Sequence, residues 1–292
     1  MTLFLAGGCL PARPPSPAAP ADPAAQSDTA TRAGTAAPTV FDRSLQRLTV
    51  EFKVHRYSAP RGLFSGNPRL WRLAAGPLGD AATVLRLADN GLRGGVGQAS
   101  DREPLRLFLA EVPGLRSALD YAQPDHTRAV EVDLGPTRPR TVVFYYTPRG
   151  DLRGMDFVDA RSKLRLAYEL RSISLREVDL RVVPELEEPP GPPKWVITEA
   201  GARQEPEDRR FVFTELALGV RIPEDGFLLL GPTEGVHDRP LLGRAIFVQP
   251  GSEDAESDDA ELESILIISP VVRSTVEPSP DGGLRRSADG EG

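Results

Sequence analysis

"KLRLAYELRSISLREVDLRVVPEL", residues Lys163 to Leu186, is the longest alternating run in the chain. Leu164, Leu166, Tyr168 and Leu170 share one phase; Val178, Leu180 and Val182 share another. A period of two places such residues on one face of a β-strand, with the intervening Arg, Glu and Asp on the other. The phase slips near Arg171 and Arg176, which marks either bulges or a turn between two strands. The run therefore predicts antiparallel sheet with one wet face.

The same alternation recurs on both sides. "RLTVEFKVHRY" (Arg47–Tyr57) sets Leu48, Val50, Phe52 and Val54 against Glu51, Lys53 and His55, as in a strand with one solvated face. "RAVEVDLG" and "RTVVFYYT" face each other across "PTRP" (136–139) and predict a hairpin. Downstream, "FVFTELALGVRI", "GFLLLGP", "LLGRAIFV" (Leu241–Val248) and "SILIISPVV" predict a four-strand meander, with "PEDG" as a turn. Between these blocks, Glu187 to Arg210 is polar and rich in proline apart from "WVIT" and predicts an exposed excursion.

Helical signals are few. "GDAATVLRLADNG" carries Asp80 as N-cap and Asn90-Gly91 as a left-handed stop. "SDREPLRLFLAEVPG" has a capping-box pattern, Ser100 with Glu103, and ends at Pro113-Gly114. Trp71 falls in a Gly/Pro/Ser-rich loop. The expected class is α+β, mainly antiparallel β, with a disordered N-terminal tether and a disordered C-terminal tail. The expected divisions are 1–9, a signal remnant; 10–40, an Ala/Pro-rich tether; 41–125, a small α/β region; 126–274, a β-rich region; and 275–292, a tail.

Net charge is −7 and the chain is 26% charged, so a general affinity for nucleic acid phosphates is not expected. Its 292 residues suffice for a real core. No apolar stretch nears the roughly 18 residues of a spanning helix. Cys9 is the one cysteine, which excludes an intramolecular disulfide and a cysteine-based zinc site. After it, seventeen of the thirty residues Leu10–Thr39 are alanine or proline, too little apolar area to offset the entropy of ordering.

"MTLFLAGGC" followed by this tether resembles the cleavage box of bacterial lipoprotein signal peptides. The resemblance implies lipidation at Cys9, with Ala6, Gly7 and Gly8 as the small residues before the cut. Ala6 replaces the usual leucine, and the apolar region Leu3–Ala6 is shorter than a complete signal.

The raw materials of catalysis are thin. His55, His126 and His237 are each flanked by polar residues and share no metal-ligand spacing; they are expected on the solvated surface. "GGVGQAS" (Gly94–Ser100) lacks the third glycine and the lysine of a phosphate loop and is expected to be a turn. "SEDAESDDAELE" (Ser252–Glu263) holds seven carboxylates in twelve residues, without the order of an EF-hand loop, and is expected to be a solvated loop. No cofactor and no metal are expected.

Taken in order, the last blocks resemble the C-terminal module of the secretin family, the ring-forming outer-membrane channels of type II and type III secretion and type IV pili. Asp225-Gly226 with "FLLLG" ending at Gly231 matches the first element. Pro240-Leu241-Leu242-Gly243 with Ile246-Phe247 matches the second, and "ESILIISPVV", with Ser269-Pro270, the third. The match spans about residues 164 to 272. The P-x-L-G unit occurs once, Gly231-Pro232 replaces Gly-Gly, and the polar excursion stands where a channel needs long barrel strands.

The resemblance implies a secretin-like β-region without pore function. The expected protein is a non-enzymatic, lipid-anchored envelope protein facing the periplasm from the outer membrane. Its expected partners are other envelope or secretion-system proteins, with self-association among the options, and no nucleic acid. The alternative is a soluble periplasmic ligand-binding or hydrolytic protein using residues such as Asp156, Asp159 and His126.

Overall fold

Alternation in Arg47–Tyr57 builds the longest strand pairing of the protein. In the computed structural model, which describes residues 46–122, 129–172, 177–199, 201–249 and 261–276, β1 (Gln46–Pro60) pairs along its whole length with β14 (Leu262–Val276). β3 (Arg116–Ala122) adds to the other side of β1. β2 (Leu92–Gly97) pairs with β12 (Phe227–Pro232), which in turn pairs with β14. The short β13 (Val248–Gln249) completes an antiparallel six-stranded sheet.

The second sheet grows from the run Lys163–Leu186. That run is a hairpin of β6 (Leu152–Ser172) and β7 (Glu177–Glu187), with a register shift between Leu170 and Ser172. β4 (Val130–Asp133) and β5 (Arg138–Tyr146) were expected to pair with each other. Both instead pair with β6, β4 at Lys163–Leu166 and β5 at Leu152–Ala160. A 21-residue strand is long enough for two short strands to lie end to end along one edge. β10 (Arg210–Val212) and β11 (Leu218–Ile222) both pair with β7.

The two sheets enclose one core. Val50, Phe52 and Val54 of β1, Leu228 and Leu230 of β12, and Leu266 and Ile268 of β14 meet Leu164, Leu166, Leu180, Val182, Leu218 and Ile222 of the second sheet. The first sheet is covered on its outer face as well. There Phe227, Leu229, Ile265 and Ile267 pack on Leu70 and Trp71 of α1 (Pro68–Arg72) and on Leu105, Phe108 and Leu109 of α3 (Arg102–Ala110). A strand buried on both faces reads as a continuous apolar run, which is the physical reason for "FLLL" and "ILII". The class is α+β with mainly antiparallel sheets.

Several expectations are corrected. "LLGRAIFV" is not a strand: Leu242–Phe247 is the helix α4, apart from its last residue, which opens β13. All of its residues but Arg244 are buried, and a short run buried all round carries no period by which to tell helix from strand. The four-strand meander is therefore absent, and β11 and β12 lie in different sheets. The division at 125/126 does not separate two folding units, because β1 and β2 pair with β14 and β12. β14 also runs to Val276, two residues into the expected tail.

The helix α2 (Ala81–Asp89) has Asp80 as its N-cap, its carboxylate accepting from the Thr83 amide at 2.7 Å, and Gly91 supplies the positive φ at its end. The capping pair expected at Ser100 and Glu103 is replaced by Gln98 with Asp101, which caps the 3-10 turn Ala99–Asp101 leading into α3. "GGVGQAS" is not a turn: its glycines sit in β2, where a Cβ on Gly95 would lie 1.7 Å from the Ala74 carbonyl oxygen. Trp71 lies on α1 and donates its indole N–H to the Phe64 carbonyl at 2.9 Å.

Candidate functional site

Most residues that carry the secretin resemblance are buried, Asp225 and Pro240 being exposed. Gly226 closes the turn before β12, donating to the Pro223 carbonyl at 2.9 Å. Gly231 lies in β12 where a Cβ would meet Ile265 at 2.8 Å and Trp71 at 3.1 Å. The Pro240 carbonyl accepts from Phe144 N–H at 2.8 Å, which ties the motif to β5. Leu242 and Phe247 are buried in the inter-sheet core. Gly243 donates to the Asn90 carbonyl at 2.8 Å and lies so close to Gly91 that a Cβ would be 2.0 Å from its oxygen. Ser269 is buried, and Pro270 sits opposite Phe52 of β1. The structure thus gathers these residues around α4 and β14 as packing elements, with Leu242 and Phe247 in the core and Pro240 exposed.

Polar groups hold α4 in place. Arg138, from β5, donates to the carbonyls of Arg244 and Val248 at the end of α4, where a cation meets the negative end of the helix. Burial, then the neighbouring Arg244 guanidinium, pushes Arg138 down to about 10. Ser162 donates to the Ala245 carbonyl at 2.7 Å. Asn90, fully buried, bridges α2 to β5 by exchanging hydrogen bonds with the Tyr146 backbone at 2.7 and 3.1 Å.

The expected surface histidine His237 is buried instead. Its Nδ1 lies 3.1 Å from Glu261 Oε2 and its Nε2 3.1 Å from Glu263 Oε2. Glu263 is also buried, and its other oxygen accepts from the amides of Phe64 and Ser65. Arg244 binds both the His237 carbonyl and Glu261. Two members of the acidic stretch Ser252–Glu263 are therefore structural ligands of a histidine, and residues 252–260 lie outside the described residues. The cluster pins the start of β14 to the turn at Phe64.

The remaining expectations are placed as follows. Asp156 is an exposed partner of Arg140 at 2.6 Å, a pairing that holds its carboxyl below the usual range. Asp159 lies on β6 with φ of 53°. His55 stacks on Tyr57 at 6.1 Å. Cys9 and His126 lie outside the described residues. Among the described residues no group of three or more His, Cys, Asp or Glu could hold a metal ion, and no helix is long and apolar enough to cross a membrane.

The excursion Glu187–Arg210 holds what the sequence reading missed. β7 and β10 are paired at Glu187 and Arg210, and Glu188 donates to the Arg209 carbonyl at 3.0 Å. Between these points β8 (Gly191–Thr198) and β9 (Gly201–Glu207) form a separate two-stranded sheet. The register sets Pro193 opposite Pro206, Trp195 opposite Gln204 and Ile197 opposite Ala202. These share one face by the period of two. Trp195 is 68% exposed and Ile197 87%. The opposite face is ionic, with Lys194, Glu205 and Arg203. The signal was visible as "WVIT", a short run of three consecutive apolar residues inside a polar stretch.

No protein-family model matches the chain, and comparison with curated proteins and with solved structures finds no significant match.

Proposed function

We propose that the chain is a non-catalytic cell-envelope lipoprotein, anchored through Cys9 and facing the periplasm from the outer membrane, that makes protein–protein contacts in an envelope or secretion-related assembly. Its β-region is secretin-like and is not itself a pore. The observation that carries the reading is the β8–β9 hairpin, an isolated pair of strands presenting Trp195 and Ile197 to solvent. A two-stranded hairpin is marginal in water by itself, and tryptophan is enriched among the few residues that carry most of the binding energy at the centre of protein contacts. The motif residues at Gly226, Gly243 and Ser269 support the reading only as the scaffold that holds the hairpin out.

The test is site-specific photo-crosslinking from position 195 in cells producing the full chain. Adducts with an envelope protein, lost when the crosslinker is moved to Arg181 on the solvated sheet face, are expected. Adducts that do not depend on position would sink the hairpin reading. Loss of fatty-acid labelling in Cys9→Ala tests the anchor separately, and ion conductance by the purified chain in bilayers would overturn the no-pore element.

A further inference from the structure

We propose that the apolar tip of the β8–β9 hairpin docks into a cleft beside α2 on a second copy of this chain. This rests on the hairpin being the contact element and names its partner.

The helix α2 buries only Leu87. Ala81, Val84, Leu85 and Ala88 recur at i, i+3, i+4 and i+7, the spacing of one helix face, yet all four are exposed, Val84 at 43% and Leu85 at 65%. Beside this stripe runs a cleft of about 580 Å³, whose apolar lining includes Trp71, Ala74, Pro77, Val84, Ala88 and Leu92. Its volume exceeds that of one tryptophan and one isoleucine side chain. The chain thus carries an apolar knob and an apolar hole, and the exposure of Trp195 shows that the knob is not seated in the hole of its own copy.

Charge follows the same complementarity. Arg93 lines the cleft, its guanidinium 4.6 Å over the Trp71 ring. Glu199 sits exposed in the turn two residues beyond Ile197, where an inserted tip carries it towards Arg93. Area sets the strength. A tryptophan brings about 150–250 Å² to a contact, so one insertion falls well short of the roughly 800 Å² per partner of a stable interface. Two reciprocal insertions about a two-fold axis double the area, and anchorage in one membrane would raise the effective concentration further. The contact is accordingly a weak one, read at high protein concentration.

The experiment uses sedimentation of the full chain with acrylamide quenching of tryptophan, Trp71 being buried and Trp195 exposed. Dimers, with Trp195 protected as concentration rises, are expected. Trp195→Ser removes the knob, and Ala88→Trp, on an exposed helix position, plugs the hole; each alone should weaken dimerisation at least tenfold. Mixed one to one, they should associate more tightly than either does alone, because one intact knob still meets one intact hole. A monomer with unchanged quenching up to about millimolar concentration would overturn the proposal, as would dimers indifferent to both substitutions. If position 195 crosslinks in cells to a different envelope polypeptide and not to a second copy, the self-docking falls while the hairpin reading stands. If it crosslinks to neither, both fall.

Discussion

His237 and Glu263 lie 3.1 Å apart, Nε2 to Oε2, with both side chains excluded from water. Glu263 serves three donors at once, the ring and the amides of Phe64 and Ser65. Removing one partner from a buried, hydrogen-bonded pair leaves the others unsatisfied in low dielectric, which costs about 3–5 kcal/mol. Glu263→Ala is expected to lose that much in urea unfolding at neutral pH. Asp238→Ala, which removes the exposed partner of Arg61 at 2.6 Å, should stay within about 1 kcal/mol. Equal effects would mean that the cluster does not pin β14.

Glu185 should give the protein a measurable pH signature. Burial pushes its carboxyl above the usual range, and Arg165, Arg210 and Lys163 only partly oppose this. The folded protein therefore keeps this proton after the unfolded chain, near the ordinary glutamate value of about 4.3, has released it. In that window the native state binds more protons, so the Glu185 contribution weakens the fold as pH rises from there through the raised value. The stability of Glu185→Gln relative to wild type is expected to improve as pH rises above the ordinary glutamate value of about 4.3, measured by denaturant unfolding at each pH. Parallel profiles would remove Glu185 as the cause.

Much of the second sheet was legible because one of its faces is wet. Arg165, Glu169, Asp179 and Arg181 interrupt the apolar residues of Lys163–Leu186 at the sheet period, and the slip between them left a bulge or a turn open, of which the structure holds both a hairpin and a register shift. The first sheet was less legible for the opposite reason. β12 and the Ile265–Ile268 stretch of β14 are continuously apolar because helices cover one face and the second sheet the other, so their pairing with β2 and β1 left no local mark. The burial of His237 was illegible too, since its neighbours Val236 and Asp238 say nothing of carboxylates 24 and 26 residues away.

Gly243 is required by a backbone approach that no side chain can relieve. A Cβ there would lie 2.0 Å from the Gly91 oxygen and 2.9 Å from its Cα. Gly91 is itself held at φ of 76° by its place after α2, so neither segment can yield without moving a helix. Gly243→Ala is expected to destabilise by about 1–3 kcal/mol. Gly219, on β11, has nothing within 4 Å of a built Cβ, and Gly219→Ala should leave the melting temperature within about 2 °C. Calorimetry on the two variants decides whether the P-x-L-G glycine acts in packing; a neutral Gly243→Ala would refute it.

The hairpin should be separable from the fold that carries it. Its strands pair only with each other among the described residues, and the chain leaves and re-enters the second sheet at one paired point, Glu187 with Arg210. The contact between Glu188 N–H and the Arg209 carbonyl already closes that point. Replacing Pro189–Asp208 by Asn-Gly, which favours a two-residue hairpin turn, removes Trp195 and Ile197 but no buried core residue. The surface pair of Asp208 with Arg210 is the main ionic loss, worth under about 1 kcal/mol. The shortened chain is expected to unfold with nearly wild-type midpoint and slope in urea, while its concentration-dependent association disappears. A collapse in stability would show that the hairpin is a structural strut, and retained association would place the contact elsewhere on the molecule.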